Sequence, residues 1–256
     1  MNKMELALSK LRELGALTVD MVETFNRGNL DKILFMSDNA ILIKHKAGMH
    51  MLWCDDTAEG IRALSCVTTD KAISNDSTAD SGNAENLMHC CIAHGKPALD
   101  AVSSATDFFI GEACLQYCRY SKEIIPLRGI CDIRPLTAKD AAAVIEHYHM
   151  LSDIDEAHDL IEKKLMYGAE IEGELVGFIG WHSDGSAGML EVFPEYRRRG
   201  IGVELECFMH NLHIERGWIP YGQVYTSNDA SLRLQGKLDL TVSSDNIWWT
   251  FDNEDG

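Results

Sequence analysis

Apolar residues recur at helical spacing from the start of the chain. Leu8, Leu11, Leu14, Val19, Val22 and Phe25 follow a 3.6-residue period, which predicts helix with a break at Gly15. Asn29 offers a cap for a short helix through Phe35. The pattern then changes: residues 39–46 and 49–54 read as two strands, a hairpin turning at Ala47-Gly48. Asp56 and Thr57 open a helix that runs to about Thr69. Residues 72–86 are polar, rich in turn formers and poor in large apolar groups, which predicts an exposed loop. A buried strand over 87–93, a helix over 97–108 and a strand over 112–120 follow.

Pro126, Gly129 and Pro135 mark a crossing between units. They place a boundary near residue 126, with an N-terminal α/β domain over 1–126 and a second domain over 127–256. In the second half a strand covers 129–134. Thr137 caps a helix over 138–147, with Asp140 in the capping-box position. A helix over 154–166 precedes strands over 169–171 and 175–181, joined at Glu172-Gly173. A strand over 188–193, a helix over 201–215, a strand over 222–226, a helix over 230–238 and a strand over 246–251 complete the series. Strands and helices alternate in both halves, which predicts an α/β (α+β) fold, a mixed central sheet flanked by helices.

Charge narrows the partners. The 256 residues hold 40 acids against 23 lysines and arginines, a formal net charge of −17. Such a surface repels nucleic-acid phosphates and anionic lipid and tolerates cationic amines. No nucleic-acid or membrane partner is expected. The amino-terminal segment lacks the apolar core of a secretory signal, and no run approaches a membrane span, so a cytoplasmic location is expected. The eight cysteines form no Cys-x-x-Cys pair, and Cys90-Cys91 are adjacent. They read as reduced, buried thiols, and no metal site is expected.

Against this acidic background one stretch is basic. Residues 190–202 run Leu190-Glu191-Val192-Phe193-Pro194-Glu195-Tyr196-Arg197-Arg198-Arg199-Gly200-Ile201-Gly202. The order is strand, short turn, glycine pair, helix. Unpaired amides at a helix start carry positive partial charge and suit phosphate oxygens. Gly200 and Gly202 remove side chains that would hold an anion away. Arg197, Arg198 and Arg199 add cationic charge.

This stretch resembles the acetyl-CoA motif of the GNAT superfamily of N-acyltransferases, Arg/Gln-x-x-Gly-x-Gly/Ala after a strand of the type apolar-x-Val-x-Pro-x-Tyr. Arg197, Gly200 and Gly202 fill the motif, and Val192, Pro194 and Tyr196 fill the lead-in. A second segment, residues 224–238, resembles the family's strand-Asn-x-x-Ser-helix, with Asn228 and Ser231 at the polar positions. The resemblance covers residues 130–251, about half the chain. It implies acetyl-CoA as donor, with Leu190, Glu191 and Val192 along the pantetheine and Arg197, Arg198, Arg199, Gly200, Ile201 and Gly202 around the pyrophosphate. Asn228 and Ser231 would contact the same co-substrate, and Asn228 also suits a plain helix cap. The chain departs from the family at Gln235, where many members have an acidic tyrosine, and at Asp239, where the family often has glycine.

The implied reaction is transfer of an acetyl group to a primary amine, on a small molecule or a peptide, by direct attack. The backbone N–H of Val192 would polarise the thioester. Glu191, His147, His149 and His182 are the base candidates, and Tyr225 the candidate acid. Each has a plainer reading as an exposed or packed side chain. Adjacent Trp248 and Trp249 face opposite sides of a strand. The alternative function is a CoA-binding regulatory or interaction protein without turnover. The N-terminal half reads as an α/β domain without a recognisable catalytic motif. A divergent second copy of the GNAT fold, which walls off the acceptor site or forms a homodimer surface, is open to it.

Overall fold

A computed structural model describes residues 2–67, 87–151 and 153–252. The loop expected over 72–86 lies outside the described residues. The chain divides into two compact units: residues 1–118 with 224–229 and 241–256, and residues 119–223 with 230–240.

The first unit opens with α1 (Lys3–Glu13), held by a reciprocal cap between Asn2 and Glu5. A 3₁₀ turn at Gly15–Thr18 breaks it from α2 (Val19–Asn26). Strands β1 (Leu30–Met36), β2 (Ala40–His45) and β3 (His50–Cys54) form an antiparallel series. Helix α3 (Thr57–Leu64) precedes β4 (Cys90–His94), which lies parallel to β3. Then come α4 (Lys96–Ala105) and β5 (Phe109–Cys118). The last strand of the chain, β12 (Ile247–Phe251), inserts between β4 and β5 and pairs antiparallel with both. The short β11 (Thr241–Val242) pairs with β5. Leu42, Leu52, Cys91 and Ala93 project from the sheet onto Ala63, Leu64, Ala98 and Val102 of α3 and α4.

Residues 30–36 correct one expectation. The sequence suggested a short helix capped by Asn29, and the chain instead forms β1. The run Leu30-Asp31-Lys32-Ile33-Leu34-Phe35-Met36 satisfies either period, and a seven-residue helix satisfies few backbone groups. As a strand it shares its backbone bonds with β2 and packs Leu34 and Phe35 on the core. The hairpin predicted around Ala47-Gly48 is present as β2 and β3.

In the second unit β6 (Asp132–Pro135), β7 (Met166–Ile171), β8 (Glu174–Trp181) and β9 (Ala187–Val192) form an antiparallel series. β10 (Tyr221–Tyr225) joins β9 in parallel at a single pair, Gly222 with Ala187. A bulge at Val176, between the Ala169–Gly177 and Glu170–Leu175 pairs, breaks the period-two alternation of β8 and decides what packs where. Phe178 and Met189 face α5 (Ala141–His147) and α6 (Ile154–Glu162), where Val144, Ala157 and Ile161 complete a core. Val176 and Ile179 face α7 (Ile201–Glu215), against Ile201, Leu205 and Met209. α6 ends earlier than its apolar period suggests: Lys164 takes a left-handed conformation (φ 58°), and Met166 already belongs to β7. The short α8 (Asp229–Gln235) follows β10.

Candidate active site

The site begins with a fault in a strand. Along β8 and β9 the partners run Gly177 with Val192 and Phe178 with Glu191, then Gly180 with Gly188. Met189 and Leu190 thus oppose Ile179 alone, which is a β-bulge. Met189 has φ 51°, a conformation that a side chain of its size rarely adopts. A bulge bends its strand and raises the local twist. Pairing with β10 has one registered pair, at the start of β9. The backbone of residues 188–192 on that side is therefore not engaged by a β10 ladder.

Beyond β9, Pro194–Tyr196 makes a 3₁₀ turn, and Arg198 (φ 62°) and Gly200 (φ 93°) both take left-handed conformations. α7 then starts at Ile201 with no side-chain cap, so its first amides are not claimed by a neighbouring carboxylate or hydroxyl. Only glycine takes φ 93° without strain, and a Cβ on Gly200 would stand 2.9 Å from Ile130 Cδ1. Ile130 is fixed there by Glu204, whose carboxylate accepts hydrogen bonds from the backbone N–H groups of Arg128 (3.1 Å) and Gly129 (2.6 Å). Asn211, two turns further, exchanges bonds with the N–H and C=O of Ile125. The segment leading into β6 is thus strapped along α7.

The three arginines have different duties. Arg197 donates from Nε to Val192 O (2.9 Å) and from Nη2 to Glu191 Oε1 (2.8 Å), which stiffens the turn against β9. Arg199 donates to Glu195 O and lies 5.1 Å from the Tyr196 ring centroid. Arg198 is exposed and makes no ion pair among the described residues. An uncapped helix start, two left-handed residues and clustered guanidinium groups give this turn the features that suit an anion.

The proton-transfer candidates stand on different elements. Glu191 is engaged by Arg197. His147 ends α5 and stacks on Phe193, with ring centroids 3.9 Å apart. His149 is exposed beyond that helix. His182 leans over Gly188; burial holds its imidazole below the ordinary value, against the pull of Asp184. Tyr225 closes β10. Its partial burial, with Cys114 and Glu112 nearby, holds the phenol above its usual value, so the proton stays on oxygen at neutral pH. Asn228 stands in the turn before α8, and Ser231 on that helix. Leu190 and Val192 are half-buried, and the side of Gly202 where a Cβ would project meets Leu234, Val192 and Leu190 in turn.

A buried acid escaped the sequence reading. Glu206 lies on α7 one turn beyond Gly202 and is 5% exposed. Gln235 donates to it from Nε2 at 2.9 Å, and His210 Nε2 is 3.7 Å from its other oxygen. Burial pushes the Glu206 carboxyl up to about 7, although the Gln235 amide pulls the other way. Burial, aided by the charge of Arg119, lowers His210 to about 4. The one sequence signal was helical spacing, since residues 202, 206 and 210 share a face.

Among the described residues, no group of three or more His, Cys, Asp or Glu side chains could hold a metal ion. The eight cysteines form no disulfide among the described residues. No described helix is long and apolar enough to cross a membrane.

Comparison with known proteins agrees with this geometry. Two solved structures are similar across nearly the whole chain. A Drosophila protein matches 99% of this chain and 97% of its own, at 15% identity and a TM-score of 0.57. A GCN5-related N-acetyltransferase from Kribbella flavida matches 91% and 95%, at 11% identity and a TM-score of 0.56. At such identities the likeness is one of fold. No curated protein is similar enough in sequence to match. Residues 132–237 match the acetyltransferase (GNAT) family model, a span that holds the bulged strand, the arginine turn and α7. The second half of this chain therefore carries an acetyltransferase domain of the GNAT family.

Proposed function

We propose that this domain transfers an acetyl group from acetyl-CoA to a primary amine by direct attack. The observation that carries the proposal is the conjunction of a bulged β9, paired with β10 at one residue, and an uncapped, glycine-started α7 beside three arginines. An unzipped strand edge offers the N–H and C=O groups that pantetheine amides need, and the helix start takes a diphosphate. Leu190, Glu191 and Val192 then line the arm, and Arg197 to Gly202 hold the phosphates. Asn228 and Ser231 contact the same molecule. The Val192 N–H polarises the thioester carbonyl.

For the amine's proton, His147 and Glu191 are the acceptors, and Tyr225 is a candidate proton source for the thiolate that competes with the buried Glu206. The Arg197 pairing weakens the case for Glu191 as a free base. The protein acts in the cytoplasm on a small-molecule or peptide amine. The N-terminal half, over 1–126, serves as a second, divergent GNAT-like domain that forms a dimer surface.

Binding without turnover is the competing reading, favoured by one observation: Gln235, in place of a tyrosine, is tied to Glu206. Calorimetry with acetyl-CoA, beside thiol release measured over a panel of amines, separates the two. Micromolar binding with amine-dependent thiol release supports transfer. Binding with no release from any amine supports the regulatory reading, and absence of binding removes both.

A further inference from the structure

Proton supply to the departing sulfur is the step for which the sequence offered least, because Gln235 cannot act as an acid. The structure shows what Gln235 does instead. Its amide holds the carboxyl group of Glu206 at 2.9 Å. Glu206, His210 and Gln235 are 5%, 3% and 8% exposed. No lysine or arginine pairs with Glu206 among the described residues. His210 Nε2 stands 3.7 Å from the carboxylate, and its Nδ1 has no hydrogen-bond partner among the described residues. An isolated buried acid is costly unless it keeps its proton. The other buried acids of this domain are matched to cations, to backbone N–H groups or to a hydroxyl: Asp140 to Arg134, Glu204 to the N–H groups of Arg128 and Gly129, and Asp184 to Ser186, whereas Glu206 has the neutral Gln235 amide.

Its place supplies a reason for such an acid. Gly202 meets Leu234 of α8 and Leu190 and Val192 of β9, at the unzipped edge. Glu206 lies one turn along on the same helix face, beside the residue that follows Leu234. We propose that Glu206, positioned by Gln235, is the proton donor to the thiolate that leaves when the acetyl group is transferred. The proposal rests on the transfer reading given above. The amine nitrogen bonds to the acetyl carbon, the C–S bond breaks, and its electron pair stays on sulfur. Sulfur takes the Glu206 proton, and the carboxylate is reprotonated by solvent that has received the amine's proton.

The facing groups agree on the protonation state. Gln235 from α8 stabilises the anion only weakly. His210 from the next turn of α7 is kept neutral by burial and by Arg119, so it does not draw the proton away. Glu206 therefore holds its proton up to about pH 7 and loses it above. An acid of this kind works while protonated, so its contribution falls as pH rises through that value.

Two measurements on the full chain test this. Infrared spectra of the wild-type protein at neutral pH are expected to show the C=O stretch of a protonated carboxylic acid that shifts when acetyl-CoA is added. Absence of such a band, or a band indifferent to acetyl-CoA, overturns the proposal without any variant. In E206Q, calorimetric affinity for acetyl-CoA is expected to stay within about twofold, while kcat for thiol release falls by about 100-fold. The alkaline fall of the pH profile near 7 is expected to vanish as well. Unchanged kcat with unchanged affinity overturns the role of Glu206 and leaves the transfer reading standing. Failure of the wild type to bind acetyl-CoA ends both. If E206Q does not fold, E206D keeps the acid with a shorter reach, and an undiminished kcat there with the same pH limb also counts against the proposal.

Discussion

Each half of the chain contains a pair of parallel strands joined through a helix, and the two pairs differ in one respect: the first is closed and the second is not. β3 and β4 are in register at four positions, from His50 with Cys91 to Trp53 with His94. β9 and β10 share one. In the first unit the closure is pinned. His94 Nδ1 reaches the C=O of Leu52 across the pair at 3.1 Å, and its Nε2 lies 2.8 Å from Asp20, both side chains fully buried. Gln116 donates to the same carboxylate. The helix starts differ in the same sense. Asp56 caps α3 and accepts from the Glu59 N–H, with Asp55 beside it. An acid already occupies the position where an incoming anion would bind. α7 starts bare, at a glycine, beside arginines. One strand-helix-strand plan thus serves two ends. Ladder bonds and an acidic cap close the first pair, and the second leaves the corresponding backbone groups outside a ladder.

Variants can break this contrast. The largest effect is expected at Asp20. Asp20→Ala leaves the His94 ring buried without its partner and is expected to lower unfolding free energy by about 3–5 kcal/mol, read from denaturant melts. A loss below about 1 kcal/mol would mean the closed pair needs no pin. Next comes the open pair. Charge reversal at Arg197 and Arg198 together is expected to weaken acetyl-CoA about 100-fold by calorimetry, on the scale of two charge-assisted contacts. Unaltered affinity would place the diphosphate elsewhere. Asp56→Ala is expected to cost about 1 kcal/mol through the lost cap, with affinity for acetyl-CoA unchanged, because β3 and β4 stay zipped. Tighter binding of the co-substrate would show that the cap alone kept the first unit from taking it. The smallest effect concerns the hairpin that carries β8 to the bulge. Its turn holds both Glu172 (φ 54°) and Gly173 (φ 82°) left-handed. Glu172→Asn is expected to add about 0.5 kcal/mol, since asparagine tolerates this conformation better.

How much of this could be read beforehand depends on where the cause lies. The helix over 201–215 and its glycine-arginine entry were legible, because a helix start is a local device and Gly200 marks it. The mixed α/β plan was legible for the same reason, from the alternation of periods and the turn at Ala47-Gly48. The bulge was not. Nothing in Ala187-Gly188-Met189-Leu190-Glu191-Val192 announces a left-handed methionine; that conformation accompanies the register shift against β8, where Met189 joins the cluster of Phe178 and Phe193. β1 was misread because its backbone partner, β2, is a tertiary matter. Glu206 was overlooked because a polar residue in an amphipathic helix looks solvated until another helix covers it. That cover is Gln235, 29 residues away along the chain.

The place of β12 carries a consequence for biosynthesis. Residues 247–251 lie between β4 and β5, so the sheet of the first unit has a vacant lane until those five residues have left the ribosome. Units usually mature in the order in which they emerge. Here the second unit can mature first, and the one begun earliest finishes last. A nascent chain stalled before Ile247 would then expose the flanks of β4 and β5 to chaperones, and a protease pulse during translation would nick the early half long after the later half resists.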